Sequence, residues 1–463
     1  MEDFPANEHH LSTLEQISPQ AYVRFILCFR VRCGASHDQV TQILRQGLEL
    51  TTAKITLLNG LVVSVTDSNG RETKDLRQNT ISLLTVKDLR NSNLNFEEIR
   101  SQGFPSKVFD GGLLCPTAIF AVPESPVPVF LVQANLITGG LLLGLSVWHG
   151  ALDGTAITTI LRVWAYHCRA IQDPDIKSLD PFTLSASAFD RSRLSKVSGA
   201  KGGRLEDHPE FLLLPEVPTA LPPGLTRTLR TQIFHFSPDS ISALKEVTSP
   251  SNSSSPQTVY SWISTNTAIS ALVWRSIMAA TYAHENPIAD SVSIFSSPLN
   301  ARKRMDPPLA PDLLASVWGF QDSRLPINSL LEASLADVAL VIRKGTDQVD
   351  ASYLDSLISM IDSVPNPSLL LPLVFTDVLK TCSILTSWAG FSMYDFDWGE
   401  ALGGKCERVR TVSSGMFNGM QVILPQLPEG MGCGGLEVVI GLEDDAMERL
   451  KGDKEWMKYA RLL

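Results

Sequence analysis

Residues 129–148 constrain the chain most: an almost unbroken apolar run ending at Trp148, followed at once by His149-Gly150-Ala151-Leu152-Asp153-Gly154. Its length would match a membrane span. Gln133, Asn135, Thr138 and the pair Gly139-Gly140 interrupt it, so the run predicts two buried strands around a tight turn rather than a span. The composition supplies the core such strands need. Hydrophobic residues make up 44% and charged residues 19%, which excludes disorder as the main state. At 463 residues the chain exceeds one compact core and suits two or three domains. Lys and Arg number 39 against 49 Asp and Glu, a formal charge of −10, and a nucleic-acid binder needs the opposite balance on at least one face.

The N-terminal Met1-Glu2-Asp3-Phe4-Pro5 lacks the basic and apolar regions of a secretory signal. Seven cysteines, Cys28, Cys33, Cys115, Cys168, Cys382, Cys406 and Cys433, are odd in number and scattered, with no Cys-x-x-Cys pair. These features predict a soluble cytoplasmic protein with buried free thiols, without a membrane anchor, a disulfide framework or a zinc ribbon.

Short β-like runs alternate with amphipathic helices. Strands are expected at residues 21–31, 61–65 and 81–86, and helices at 40–52 and 154–170. From 196 to 226 the pattern dissolves into Gly, Pro and charge, which reads as a crossover between a domain of residues 1–195 and one of 227–463. The second part restarts with a strand at 230–236 and a helix begun by Ser237-Pro238-Asp239-Ser240. A mobile loop is expected at 248–256, helices at 264–280, 330–349 and 444–450, and strands at 292–297 and 435–441. The mixture, without a βαβ glycine fingerprint, predicts an α/β fold with mixed sheets in two similar halves.

The pattern His-x-x-x-Asp occurs twice. In His235-Phe236-Ser237-Pro238-Asp239 the histidine falls in an alternating strand and the aspartate in a helix start, so a structural role is expected. His149 instead ends a buried strand on a turn of small residues before a helix, a rigid place from which an imidazole can face a cleft and take a proton near pH 7. A satisfied core histidine is the plainer alternative. Asp153 could fix the ring or anchor the turn through an arginine elsewhere. No second histidine at helical spacing follows, so no metal is expected; G-x-S-x-G and phosphate-loop patterns are also absent. Tyr394-Asp395-Phe396-Asp397-Trp398-Gly399 is unusual for a core strand. It reads either as a strand-to-turn junction with solvated acids or as a hinge beside a cleft, with Asp395 pairing an arginine.

These two segments together resemble the HxxxDG and DFGWG motifs of the BAHD acyltransferases, in particular the fungal members of specialised-metabolite pathways. The resemblance extends through Leu11-Ser12-Thr13-Leu14-Glu15-Gln16, Ser264-Thr265-Asn266 ahead of Trp274-Arg275, Asn300-Ala301-Arg302-Lys303-Arg304 with Pro307-Pro308, Ser387-Trp388, and Gly435-Leu436-Glu437-Val438, so it covers essentially the whole chain. It implies two chloramphenicol-acetyltransferase-like α/β domains with mixed sheets and a channel between them, and a late segment near 395–415 packed on the N-terminal domain. It also implies a monomer with no bound cofactor that uses acetyl-CoA, or another acyl-CoA, as co-substrate. The implied function is acyl transfer, O-acetylation foremost, to a small-molecule acceptor bearing a hydroxyl or an amine.

By the same resemblance His149 is the general base, Asp153 pairs with Arg302 to hold the catalytic loop together with Gly154, and Asp395, Trp398 and Gly399 shape the channel. Thr265, Asn266, Ser387 and Trp388 are the candidates for the CoA side. Arg302, Lys303, Arg304 and Lys405 are cations that the phosphates of CoA could use. The second motif departs from the family in carrying Asp397 where glycine is usual, and residues 53–60 lack a usual proline. Two rivals stand beside this reading. A carrier-dependent condensation enzyme would show a doubled histidine where this chain has Trp148-His149, and a non-catalytic relative would not need His149, Asp153 and Gly154 intact.

Overall fold

The computed structural model describes residues 8–66, 70–120, 126–173, 175–176, 183–195, 202–217, 229–254, 259–282, 291–378, 380–413, 420–430 and 434–463. Phe130–Ile137 and Gly140–Trp148 form the expected hairpin, with Ile137 opposite Gly140 and Phe130 opposite Val147. Tyr22–Arg30 pairs with the other edge of Gly140–Trp148, setting Tyr22 opposite Trp148, and Leu84–Asp88 runs parallel to Phe130–Ile137. Every residue of Gly140–Trp148 is buried, because helices His37–Lys54 and Gly154–Gln172 cover one face and the segment around Phe96 to Leu114 covers the other. The polar residues inside the apolar run are answered there. Asn135 donates to the Leu114 and Leu142 carbonyls, and Gln133 donates to that of Leu113.

The fifth strand of this sheet comes from far along the chain: Arg408–Thr411 pairs antiparallel with Tyr22–Arg30, Arg408 opposite Cys28. A second, seven-stranded mixed sheet is built from Trp318–Pro326, Val292–Asn300, Cys382–Ser387, Met420–Ile423, Leu436–Leu442, Arg230–Phe236 and Arg461–Leu462, in that order. Helices Thr265–Tyr282, Leu335–Gln348 and Asp444–Gly452 pack on it. The two sheets are tied by a buried pair, Arg410 Nη1 to Glu437 Oε2 at 2.6 Å and Nη2 to Oε1 at 3.0 Å, one partner in each.

Some expectations change. The helix expected over 330–349 is two, Ile327–Glu332 and Leu335–Gln348, broken at Ala333 because Ser334 caps the second by accepting the Asp337 N–H at 3.1 Å. The loop expected to be mobile at 248–256 is anchored as far as residue 254. Thr248 is buried, Pro250–Asn252 is a helical turn, and the Ser254 N–H donates to Asp337 Oδ1 at 2.9 Å; residues 255 and 256 lie outside the described residues. Within the expected crossover, 196–201 and 218–226 also lie outside them. Phe211–Leu213, between those two parts, pairs with Leu370–Pro372. The six described cysteines are free thiols, all buried except Cys33, and Cys433 lies outside the described residues.

Candidate active site

His149 is the first residue beyond the hairpin. Its N–H donates to the Ala21 carbonyl at 2.9 Å, so three strand ends fix its backbone, and the turn through Ala151 then delivers the chain to helix Gly154–Gln172. The imidazole faces a cavity of about 170 Å³ whose lining is largely aromatic and aliphatic: Val23, Phe25, Trp318, Phe320, Trp388 and Phe391. Burial in these surroundings lowers the His149 pKa below its ordinary value, and the opposing pull of its own carbonyl and of Asp153 does not cancel this. The ring is therefore neutral near pH 7. Nδ1 is buried and has no hydrogen-bond partner among the described residues. A proton on Nδ1 leaves the Nε2 lone pair free to act as a base.

No hydrogen bond joins Asp153 to the ring among the described residues. The residue is 7% exposed, and its carboxylate receives Arg302 in a bidentate pair, Nη1 to Oδ2 at 2.5 Å and Nη2 to Oδ1 at 3.1 Å. The same carboxylate caps the helix by accepting the Ala156 N–H at 2.9 Å, and it accepts the Val317 N–H at 2.9 Å. Arg302, itself 1% exposed, also gives Nη2 to the Leu313 and Ala315 carbonyls and Nη1 to Asn300 Oδ1, while its buried Nε has no partner among the described residues. Gly154 is needed for space: a Cβ there would lie 2.5 Å from the Phe391 ring that walls the cavity.

A second cavity of about 490 Å³ adjoins the first and shares Thr155, Asn300, Ser387 and Phe391 with it. Arg162 and Lys303, both exposed, stand in its lining with one acid, Asp312. Of the other cations considered, Arg304 donates to the Thr346 and Val349 carbonyls and Lys405 lines neither cavity. Ser387 lines both cavities and Trp388 the first. Thr265 and Asn266 sit at the start of helix Thr265–Tyr282, outside both.

The second motif is split by function. Its approach, Phe391 and Met393, walls the His149 cavity, whereas Trp398 is fully buried, edge-on to Phe29 and to Trp164 in the middle of helix Gly154–Gln172. Gln172 locks it there by donating to the Trp398 carbonyl at 2.8 Å and accepting the Ala401 N–H at 2.8 Å. Gly399 has φ 85° and lies where a Cβ would fall 2.1 Å from Gln172 Nε2, so only glycine fits. The arginine partner expected for Asp395 falls elsewhere. Asp395 is exposed with no ion pair among the described residues, while Asp397 meets Arg169 at 3.3 Å and accepts the Gly399 N–H at 2.9 Å. The residue that departs from the family pattern is thus the one that holds the turn.

His235 is buried with Nε2 2.7 Å from the Gly434 carbonyl, and Asp239 lies in the first turn of helix Pro238–Val247. His167 is a buried residue of helix Gly154–Gln172, its pKa pushed down to about 4 by burial. No group of three or more potential ligands stands together to hold a metal among the described residues. No helix among them is long and apolar enough to cross a membrane. Sequence reading missed Thr155 and Asn300. The only signal was their place beside residues already chosen, one after Gly154 and two before Arg302.

Comparison with known proteins agrees with the resemblance read from the motifs. Residues 21–168 match the profile of the trichothecene 3-O-acetyltransferase-like N-terminal domain. The chain is 27% identical to O-acetyltransferase ptmV of Penicillium ochrochloron over 97% of this chain and 96% of that one. It is 26% identical to the trichothecene 3-O-acetyltransferase TRI101 of Fusarium sporotrichioides, over 96% and 94%. Among solved structures, F. graminearum TRI101 complexed with coenzyme A and deoxynivalenol superposes with TM-score 0.84 at 24% identity, covering 99% of this chain and 100% of that one. Vinorine synthase superposes with TM-score 0.68 at 16% identity, over 99% and 94%. The fold is that of these enzymes from end to end.

Proposed function

We propose that this chain, a homologue of fungal O-acetyltransferases along its whole length, is an acyl-CoA-dependent O-acetyltransferase acting on a fungal specialised metabolite, with His149 as general base. One observation carries the assignment: a neutral, half-buried imidazole stands at the end of a rigid hairpin and faces an apolar cavity that adjoins a second, more polar one. The apolar cavity suits the skeleton of an alcohol acceptor. The adjoining cavity, with Lys303 and Arg162 in its lining, suits the pantetheine arm and the phosphates of CoA. Ser387, shared by both, would then lie along the donor's path.

His149 Nε2 takes the proton of the acceptor hydroxyl as its oxygen attacks the thioester carbonyl. The tetrahedral adduct collapses by breaking the carbon–sulfur bond, and the thiolate of CoA takes the proton back from His149. Holding base, alcohol and thioester in line supplies much of the rate. Asp153 and Arg302 act by fixing the loop, not by moving protons. We further propose that residues 1–195 and 227–463 work as two units, with 395–415 packed on the first, and that the enzyme is a cytoplasmic monomer; the pairing of Arg408–Thr411 with Tyr22–Arg30 supports the exchange of that segment.

The test is thiol release from acetyl-CoA with a panel of hydroxylated terpenoid, alkaloid and polyketide acceptors, the product being identified by its added acetyl mass. His149→Ala should reduce transfer to background while leaving the fold intact. A purified variant that kept near-wild-type turnover would falsify the assignment of the base.

A further inference from the structure

The side-chain amide of Asn300 has one orientation that suits its neighbours. Oδ1 receives the Arg302 backbone N–H at 3.1 Å and Arg302 Nη1 at 3.3 Å, and both of these groups can only donate. The oxygen must therefore face Arg302, which leaves Nδ2 facing Thr155 Oγ1 at 3.0 Å. An amide nitrogen also can only donate, so the Thr155 hydroxyl accepts there and its own proton is free to point elsewhere. No described acceptor takes that proton. One turn on, by contrast, Thr158 gives its hydroxyl proton to the Gly154 carbonyl at 2.7 Å. Thr155 is half-buried and lines both cavities, in the first turn of helix Gly154–Gln172, where the positive end of the helix dipole lies. The buried pair Asp153–Arg302 therefore extends through Asn300 to a hydroxyl donor with no protein acceptor, at the junction of the two cavities.

We propose that Thr155 donates this hydroxyl to the carbonyl oxygen of the bound acyl thioester, with Asn300 as the residue that positions it. The assignment rests on the acyl-transfer reading above. A thioester carbonyl has to lie between the base in one cavity and the CoA arm in the other, and Thr155 is shared by both. As the acceptor oxygen bonds to the carbonyl carbon and its proton passes to His149, the carbonyl π electrons move onto oxygen. The Thr155 O–H then meets a full negative charge instead of a dipole. When the carbon–sulfur bond breaks, that electron pair returns to form the ester carbonyl, CoA leaves as thiolate and His149 returns the proton. The hydrogen bond is stronger in the adduct than in either ground state, as catalysis requires.

The experiment uses the full chain and carbon-13-labelled acetyl-CoA, with water as the acceptor so that no identified alcohol is needed. Binding, thiol release and the infrared carbonyl band of the bound thioester are measured together. Thr155→Val, close in shape, should lower the release rate about 100-fold with little change in the KM for acetyl-CoA, and should shift the bound carbonyl band to higher frequency. Thr155→Ser should restore most of the rate. Asn300→Asp replaces the donor by an acceptor, turns the Thr155 proton away from the cleft, and should cost as much as losing the hydroxyl. Added to Thr155→Val, it should cost nothing more. A Thr155→Val variant within about threefold of wild type, or with the wild-type carbonyl band, overturns the assignment while His149-dependent release leaves acyl transfer standing. If the wild-type chain does not bind acetyl-CoA, or releases thiol equally well as His149→Ala, acyl transfer itself falls and the assignment with it.

Discussion

Replacing Arg302 by alanine strips Asp153 of its cation while leaving the carboxylate where it is. Two charge-assisted hydrogen bonds disappear, the Leu313 and Ala315 carbonyls lose their shared donor, and only the Ala156 and Val317 N–H groups remain on the carboxylate of a residue that is 7% exposed. Breaking a buried pair from one side typically costs about 3–5 kcal/mol, because the surviving charge stays buried without its counter-charge. Unfolding entropy near 2.1 cal/mol/K per residue gives roughly 1 kcal/mol/K for a chain of 463 residues. Arg302→Ala should therefore lower Tm by about 4 °C, and by more if the part that holds the pair unfolds separately. Transfer should fall with it, since the strand end carrying His149 and the Asn300 amide both lose their brace. Scanning calorimetry and thiol release on the same preparation test both limbs. Arg302→Met combined with Asp153→Asn should be more stable than Arg302→Met alone, because no unpaired charge remains. Simple additivity of the two changes, or activity lost at an unchanged Tm, would refute the bracing role.

The acid limb of kcat/KM should lie below the ordinary histidine value of about 6.5, because burial depresses the His149 pKa and keeps the base neutral. The stability contributed by that shift is complete above about pH 6.5 and is lost as pH falls through the depressed value; a limb at or above 6.5 would contradict the burial argument. Gly154→Ala places a methyl 2.5 Å from the Phe391 ring and should cost about 1–3 kcal/mol, with a raised KM for the acceptor as that wall of the cavity shifts, read by steady-state kinetics and Tm. Trp398→Ala opens a void between Trp164 and Phe29 beside the middle of the same helix, and should cost about 3–5 kcal/mol in chemical denaturation. A Trp398→Ala protein that stayed stable but could not bind acetyl-CoA would instead place that residue on the channel.

What could be read from the sequence was local or self-contained. The hairpin, the strand–turn–helix around His149 and most helices follow from periodicity and turn residues over a few neighbours. What could not be read was partner choice at a distance. Nothing in Asp395-Phe396-Asp397 indicates which aspartate meets an arginine; that depends on Arg169, presented by a helix more than two hundred residues earlier. Trp398, which the resemblance puts among the residues shaping the channel, packs its ring on Trp164 in the middle of helix Gly154–Gln172 and gives its carbonyl to Gln172 at the end of that helix, partners that lie more than two hundred residues earlier. The break at Ala333 did have a signal, Ser334 three residues before Asp337, but the apolar periodicity on either side hid it. Thr155 carries no sequence signal of its own. Its role depends on which way an amide is turned, and that is set by donors on Arg302, which is itself held by the distant Asp153.

The strand Arg408–Thr411 also bears on how the molecule comes to exist. Its partner Cys28 is about 380 residues earlier, so during synthesis the sheet that carries His149 is finished only when nearly nine-tenths of the chain has been made. Until then Tyr22–Arg30 presents an open, apolar edge, the kind that invites pairing with a neighbouring chain. Arg410 must also wait for Glu437 before its charge is answered. The segment most similar to a known N-terminal domain is therefore not a unit to be cut out and expressed, because its sheet lacks a strand without the distant C-terminal part. A chain truncated before residue 408 should be recovered aggregated, and one carrying the strand back on a short linker should be the smallest soluble form of that half.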